Sequence, residues 1–342
     1  MGGFACSSWY FLRFCDPHNY EAGWDTAKTD YWMPVDCYVG GAEHAVLHLL
    51  YARFWTKVLH DLDLVHVDEP FARLLNQGQV LANTPYRKPN EGETLGVGED
   101  GILVSFEDAK SMDEGDLSWR WVRMSKSKGN VVTPEEAVEQ YGADALRVYE
   151  LFVAPFEADV QWSSDGIQGS ARFLGRVFRL CSTINQFKDK SWKASIVSTG
   201  ETERSVRVRR ATHKTLKSTK NDILDFAFNT YISGLMTYVN TLNDELAKGE
   251  VTEAADIAAF SEALEALVLM IAPAAPHTAD EIWEAMGNQG FTYQADWPEF
   301  KAELAKDDTV TIAVQVNGKL RDTLEMAADS SKEELEAVSY TH

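Results

Sequence analysis

Along the chain the spacing of apolar residues changes twice. Up to about residue 152, short mixed runs such as Tyr31 to Val39 read as β-type segments set between helices, with Ala45 to Tyr51 as a helix and Ile102 to Phe106 as a strand. From Gly142 to Arg147 onward the pattern turns helical. Pro155 to Trp162 interrupts it and Gly166 to Phe187 resumes it; Arg207 to Lys220, Asp222 to Lys248 and Val251 to Ile271 then carry apolar residues three and four apart. Pro273 and Pro276 end one helix and start the next. Past Trp297-Pro298 the period alternates: Val310 to Val316, an Asn317-Gly318 turn and Lys319 to Leu324 predict a hairpin. The expected fold class is α/β plus all-α: a mixed first part, an antiparallel helix bundle and the start of a small α+β domain.

Composition narrows the function classes. The 342 residues, 45% apolar and 25% charged, suffice for a sizeable core and for two or three domains. No apolar run approaches the roughly 18 residues of a membrane span, and Met1-Gly2-Gly3 lacks a basic secretory start, so a soluble cytoplasmic protein is expected. Cys6, Cys15, Cys37 and Cys181 form no CxxC pair, which fits a reducing compartment better than a disulfide framework or a zinc site. A formal charge of −21 opposes indiscriminate binding of polyanions, so any RNA contact must be local. One such place is visible: between 204 and 220 no acid occurs, and Arg207, Arg210, Lys214 and Lys217 share a helix face as a possible phosphate-tracking stripe.

Two short stretches carry the chemistry. In Met124-Ser125-Lys126-Ser127-Lys128-Gly129-Asn130 the serines and glycine keep a loop pliable and supply hydroxyl and N–H donors, while Lys126 and Lys128 bring point charges suited to a polyphosphate. Thr133 and Pro134 then cap and open a helix, where anions are already favoured. Upstream, Gly40 and Gly41 let a ligand approach the backbone closely, and Glu43 can accept both hydroxyls of a ribose. His44 and His48 stand four apart, as in part of a zinc-protease motif. Glu43 precedes His44 instead of following it and no third ligand is suitably spaced, so no protein-bound metal is expected.

Arg123-Met124-Ser125-Lys126-Ser127 resembles the KMSKS signature of class I aminoacyl-tRNA synthetases, with Arg123 standing at the family's first lysine. The run Tyr31 to Asp36 followed by Gly40 to His44 is similar to the leucyl family in particular, as is Phe4 to Tyr10 at the start. The resemblance implies ATP-dependent activation of leucine and transfer to tRNA(Leu), with Mg²⁺ carried on the nucleotide. It implies that Lys126 and Lys128 stabilise departing pyrophosphate, with Arg123 in support. Gly40, Gly41, Glu43, Met124, Ser125 and Ser127 would contact ATP, and Phe4, Ser7, Tyr10, Tyr38, His44 and His48 the amino acid or adenylate. A pocket for a branched aliphatic chain needs aromatic and small walls with a few polar groups, which this set supplies.

The same resemblance divides the chain. Residues 1–152 correspond to the second half of a Rossmann-like catalytic domain, with a small insertion near 84–122 and the signature loop at 123–130; 153–298 to a tRNA anticodon-binding bundle; and 308–342 to the start of a truncated C-terminal tRNA-contacting domain. The HIGH signature and the hydrolytic editing domain have no counterpart here, so this polypeptide alone is expected to activate leucine poorly or not at all. Family members of this type imply a monomer and no membrane partner. Two rival readings follow from the same residues: an isoleucyl, valyl or methionyl class I enzyme, since a hydrophobic pocket separates one methylene by only about 1–3 kcal/mol, or a tRNA-binding module without a working site.

Overall fold

The computed structural model describes residues 4–95, 101–198, 200–306, 309–316 and 319–327. Its contacts divide into two compact units, Met1–Glu136 with Val153–Ser164, and Ala137–Phe152 with Asp165–His342. The chain therefore crosses between them at 136, 152 and 164, where the sequence suggested one boundary near 152.

In the first unit, helices α1 (Tyr10–Cys15), α2 (Thr26–Trp32) and α3 (His48–Asp61) enclose a small core of Phe11, Leu12, Met33, Ala52, Leu59 and Val65. The β-type run expected over Tyr31 to Val39 is corrected: its first two residues belong to α2, because Asp25 caps that helix by accepting the Ala27 N–H at 2.9 Å. Only Tyr38–Val39 (β1) is strand, paired in parallel with Leu74–Leu75 (β2). The single helix expected from Ala45 is corrected too. A 3-10 turn covers Ala42–Val46, and Leu47, at φ −113° and ψ −99°, breaks the backbone before α3 begins.

The larger sheet lies in the segment read as an insertion. Strand β3 (Val80–Arg87) is central, flanked by antiparallel β4 (Ile102–Leu103) and β5 (Leu117–Arg123). The strand expected to reach Phe106 stops at Leu103, because the Ser105 side chain accepts the Asp108 N–H at 3.0 Å and starts the short helix α4 (Phe106–Ala109). Strand β6 (Val160–Gln161) pairs in parallel with Val80–Leu81, which keeps 153–164 with this unit.

Helix α5 (Pro134–Tyr141) follows the lysine loop, opened as expected by Thr133, whose hydroxyl accepts the Glu136 N–H at 3.3 Å. The second unit holds α6 (Ala143–Phe152), α7 (Ser164–Asn185), α8 (Trp192–Ser198), α9 (Glu203–Leu224), α10 (Phe228–Ala247), α11 (Ala254–Ile271) and α12 (Pro276–Ala285). Helix α11 is buried on nearly every side, as an all-round apolar helix must be. Its Phe260 and the surrounding Phe173, Val177, Leu180, Leu235 and Tyr238 share one buried core. The buried Tyr238 hydroxyl meets Thr212 Oγ1 at 2.7 Å, so its polar end is satisfied. Strands β7 (Thr309–Val316) and β8 (Lys319–Ala327) pair antiparallel, Val316 opposite Lys319; the Asn317-Gly318 turn lies outside the described residues.

Candidate functional site

Strand β5 delivers the lysine loop. Its ladder with β3 continues through Met124, whose N–H donates to Val80 O at 3.2 Å, after which Lys126–Lys128 form one 3-10 turn. Gly129 closes the turn at φ +63°, a left-handed conformation that favours glycine. Asn130 then folds back under the loop, only 3% exposed. Its Oδ1 accepts the Ser125 N–H at 2.8 Å, and its Nδ2 donates to Thr84 Oγ1 at 2.9 Å and to Arg123 O at 3.3 Å. Thr84, fully buried on β3, ties the loop to the sheet. Neither anchor was singled out from the sequence; the Gly-Asn pair after Lys128 was the available signal. Lys126 is exposed and Lys128 half-buried above this anchor.

The upstream stretch meets the loop through one ion pair. Arg123 Nη2 lies 2.7 Å from Glu43 Oε1, although 80 residues separate them. The Glu43 carboxyl is held below the usual carboxylate range, first by its own backbone N–H and then by Arg123. It also lies against Gly41: a Cβ there would sit 2.3 Å from Glu43 Oε2. At Gly40 the nearest obstacle is the Tyr38 ring at 3.2 Å, and Gly40 O accepts from Asn76 Nδ2 at 2.9 Å.

The aromatic residues gather round His48, which is 4% exposed. Its Nδ1 is 3.0 Å from the Tyr38 hydroxyl and its Nε2 bonds Ser7 O, so the neutral tautomer protonated at Nε2 donates to Ser7 while Tyr38 donates to Nδ1. Both nitrogens are thereby used, and His48 is a wall and a brace for Tyr38. Burial, and then Tyr10, push the Tyr38 hydroxyl up to about 12. Phe4 stacks on Tyr51 at 5.9 Å, and Tyr10 lies 6.1 Å from the His48 ring. His44 and His48 meet edge to face at 6.0 Å despite the broken helix between them. Ser7 Oγ and His44 Nδ1 are buried without hydrogen-bond partners. Tyr51 and Phe71, the latter 4.2 Å from Tyr38, belong to this cluster and were missed because isolated aromatics in apolar runs look like core.

In the second unit, the basic run lies on α9 as expected, but several of its charges are spent inside the bundle. Arg207 Nε donates to Glu245 at 2.9 Å, Arg209 is buried against Glu262 at 2.9 Å, and Arg204 stands 3.7 Å from Asp256. The local excess of positive charge seen in sequence is thus partly balanced by acids arriving from α10 and α11. Lys214 and Lys217 are exposed and Arg210 is half-buried.

Two parts of the chain match known families. Residues 121–163 match the family described as tRNA synthetases class I (I, L, M and V), and residues 207–337 match the anticodon-binding domain of tRNA ligase. The leucine-tRNA ligase of Symbiobacterium thermophilum is 42% identical over 364 residues, covering 99% of this chain and 38% of the relative. That of Chloroherpeton thalassium is 42% identical over 335 residues, covering 98% and 35%. A crystal structure of the ternary complex of Agrobacterium radiobacter K84 LeuRS, tRNA and LeuAMS superimposes with a TM-score of 0.74 at 29% identity, covering 99% of this chain and 38% of that one. This chain spans little more than a third of the relatives' length and, within the class I synthetases, belongs to the leucine-tRNA ligase family.

Proposed function

We propose that this chain serves leucyl-tRNA synthesis. Leucine carboxylate attacks the α-phosphorus of ATP in line and pyrophosphate leaves; a ribose hydroxyl at the end of tRNA(Leu) then attacks the carbonyl of the leucyl-adenylate, and AMP leaves as the acyl group is transferred. Neither step needs a protein nucleophile, so positioning and charge stabilisation supply the catalysis. ATP would bring Mg²⁺ on its phosphates. Lys126 and Lys128 would receive the charge that develops on pyrophosphate, with Arg123 in support and the backbone of Met124, Ser125 and Ser127 alongside. Glu43 would accept the ribose hydroxyls over Gly40 and Gly41. Phe4, Tyr10 and Tyr38 would wall the leucine side chain, with His48 holding Tyr38 in place and Ser7 and His44 offering their unpartnered polar atoms.

We infer the same division of labour along the chain that the sequence suggested: a part of a Rossmann-like catalytic domain in 1–152, an anticodon-binding bundle in 153–298 and a tRNA-contacting domain beginning near 308. Arg207, Arg210, Lys214 and Lys217 would face RNA phosphates, the two lysines most directly.

One observation carries the reading: in a chain 42% identical to leucine-tRNA ligases over 99% of its length, the ion pair of Arg123 with Glu43 joins the lysine loop to the two-glycine stretch. A thermal shift with a non-hydrolysable leucyl-adenylate analogue, run beside the isoleucyl and methionyl analogues, tests it. Selective stabilisation by the leucyl compound is expected; equal shifts with all three would overturn the leucine assignment.

A further inference from the structure

The outer face of β5 is unusual for a small protein sheet. Side chains alternate across a strand, so Trp119, Trp121 and Arg123 stand on one face and Arg120 and Val122 on the other. The inner set is engaged: Arg120 lies over the Tyr86 ring at 4.9 Å, and Thr84, opposite Arg120, is fully buried. Of the outer set, Arg123 is held by Glu43, and the two tryptophans are open. Trp119 is 49% and Trp121 40% exposed, with Asn83, also exposed, directly opposite Trp121. Phe106 extends the apolar surface, its ring 6.2 Å from that of Trp119.

Two indoles left in water on adjacent outward positions call for an occupant, and charge says which. The strand runs from exposed Asp113, Glu114 and Asp116 at one end to Arg123, Lys126 and Lys128 at the other. Arg123 is balanced by Glu43, but in a chain of net charge −21 Lys126 and Lys128 at the end of a strand that bears exposed rings suit a polyanion carrying flat groups. Residues two apart on a strand are separated by about 6.6–6.8 Å, close to twice the roughly 3.4 Å rise between stacked bases, so the backbone repeat matches the spacing of two rings with one base between them. Every base has a π-face, so such a platform tolerates sequence, and the Asn83 amide can both donate to and accept from a base edge. We propose that Trp119, Trp121 and Asn83 form a stacking platform for single-stranded RNA, its phosphates directed toward Arg123 and the lysine loop. Duplex RNA, whose bases are already stacked, is excluded. That the strand is the single-stranded end of a tRNA rests on the functional reading above; the stacking itself does not.

The test uses the whole chain, fluorescence anisotropy and a fluorescein-labelled hexa-adenylate, beside a labelled RNA hairpin of equal charge. Hexa-adenylate is expected to bind more tightly than the hairpin, about tenfold more weakly to W119A or W121A than to wild type, and within about threefold of wild type to W119F/W121F. The phenylalanine pair keeps rings in place, so it separates lost stacking from a lost fold. No binding of hexa-adenylate by wild type, equal binding of the hairpin, or unchanged affinity in W119A/W121A would each overturn the platform. The leucyl-adenylate analogue is expected to stabilise W119A/W121A as it does wild type. Loss of that shift in wild type would instead count against the functional reading and leave the RNA result to stand by itself.

Discussion

Arg123 donates to Glu43 across 2.7 Å, joining the start of the lysine loop to a carboxylate two residues after Gly41. The carboxylate proposed to receive a ribose is therefore engaged by a guanidinium. A ribose would have to share Glu43 with Arg123 or displace it. Replacing Arg123 with Ala is expected to leave the adenylate analogue binding at least as tightly, whereas Glu43→Gln weakens it by about tenfold. Isothermal titration of the two variants with the leucyl analogue checks this, and a Glu43→Gln variant that binds like wild type would remove Glu43 from the site.

The Gly41 backbone has no room for a methyl group, since a Cβ would meet Glu43 Oε2 at 2.3 Å. Gly41→Ala should push the Glu43 carboxylate aside and lower the analogue's thermal shift. Gly40→Ala, where the Tyr38 ring carbon stands 3.2 Å away, should do so less. Reversal of that order in a melting series would show that Glu43 gives way freely.

Asn130 is buried and makes three hydrogen bonds beneath the loop. Asn130→Ala is expected to cost about 1–3 kcal/mol, because the Ser125 N–H and Thr84 hydroxyl lose their partner. Tryptic cleavage after Lys126 and Lys128 should accelerate in parallel, read by mass spectrometry against wild type. Thr84→Val should reproduce part of the acceleration.

Burial holds Tyr38 neutral in the fold, with its ionisation raised from 10.0 to about 12. A raised folded value means the stabilisation is present below pH 10 and is lost as pH climbs toward about 12. The ultraviolet titration of wild type minus Tyr38→Phe should therefore show one phenol ionising near 12. A difference titration centred at 10 would mean the ring is solvated.

Arg209 and Glu262 are each 9% exposed at the side chain and 2.9 Å apart. Arg209→Met should destabilise the bundle by about 3–5 kcal/mol, because Glu262 is left buried with only His213, 3.2 Å away, beside it. Arg207→Ala leaves buried Glu245 with Lys248 alone, so its effect on tRNA affinity would mix with a loss of stability. Lys217→Ala, at an exposed position, is cleaner. It should leave melting unchanged, weaken tRNA binding and reduce its salt dependence by about one phosphate contact.

The sequence by itself determined the long helices, because apolar residues at three- and four-residue spacing over twenty positions leave one solution: α7, α9, α10 and α11 fall where the period placed them. It also determined the turn at the lysine loop and the capped helix after it, since Gly129, Thr133 and Pro134 act locally there. Tertiary structure decided what short segments became. Tyr31 and Trp32 joined a helix because of a cap six residues upstream of Tyr31, and a five-residue apolar run stopped at Leu103 because Ser105 capped the next turn. It alone brought Glu43 to Arg123, Thr84 to Asn130 and Tyr38 to His48, contacts between residues 10 to 80 positions apart that no periodicity encodes. It also decided the fate of the basic run on α9. Charge read along a chain counts only neighbours in sequence, whereas Glu245, Asp256 and Glu262 reach Arg207, Arg204 and Arg209 from other helices.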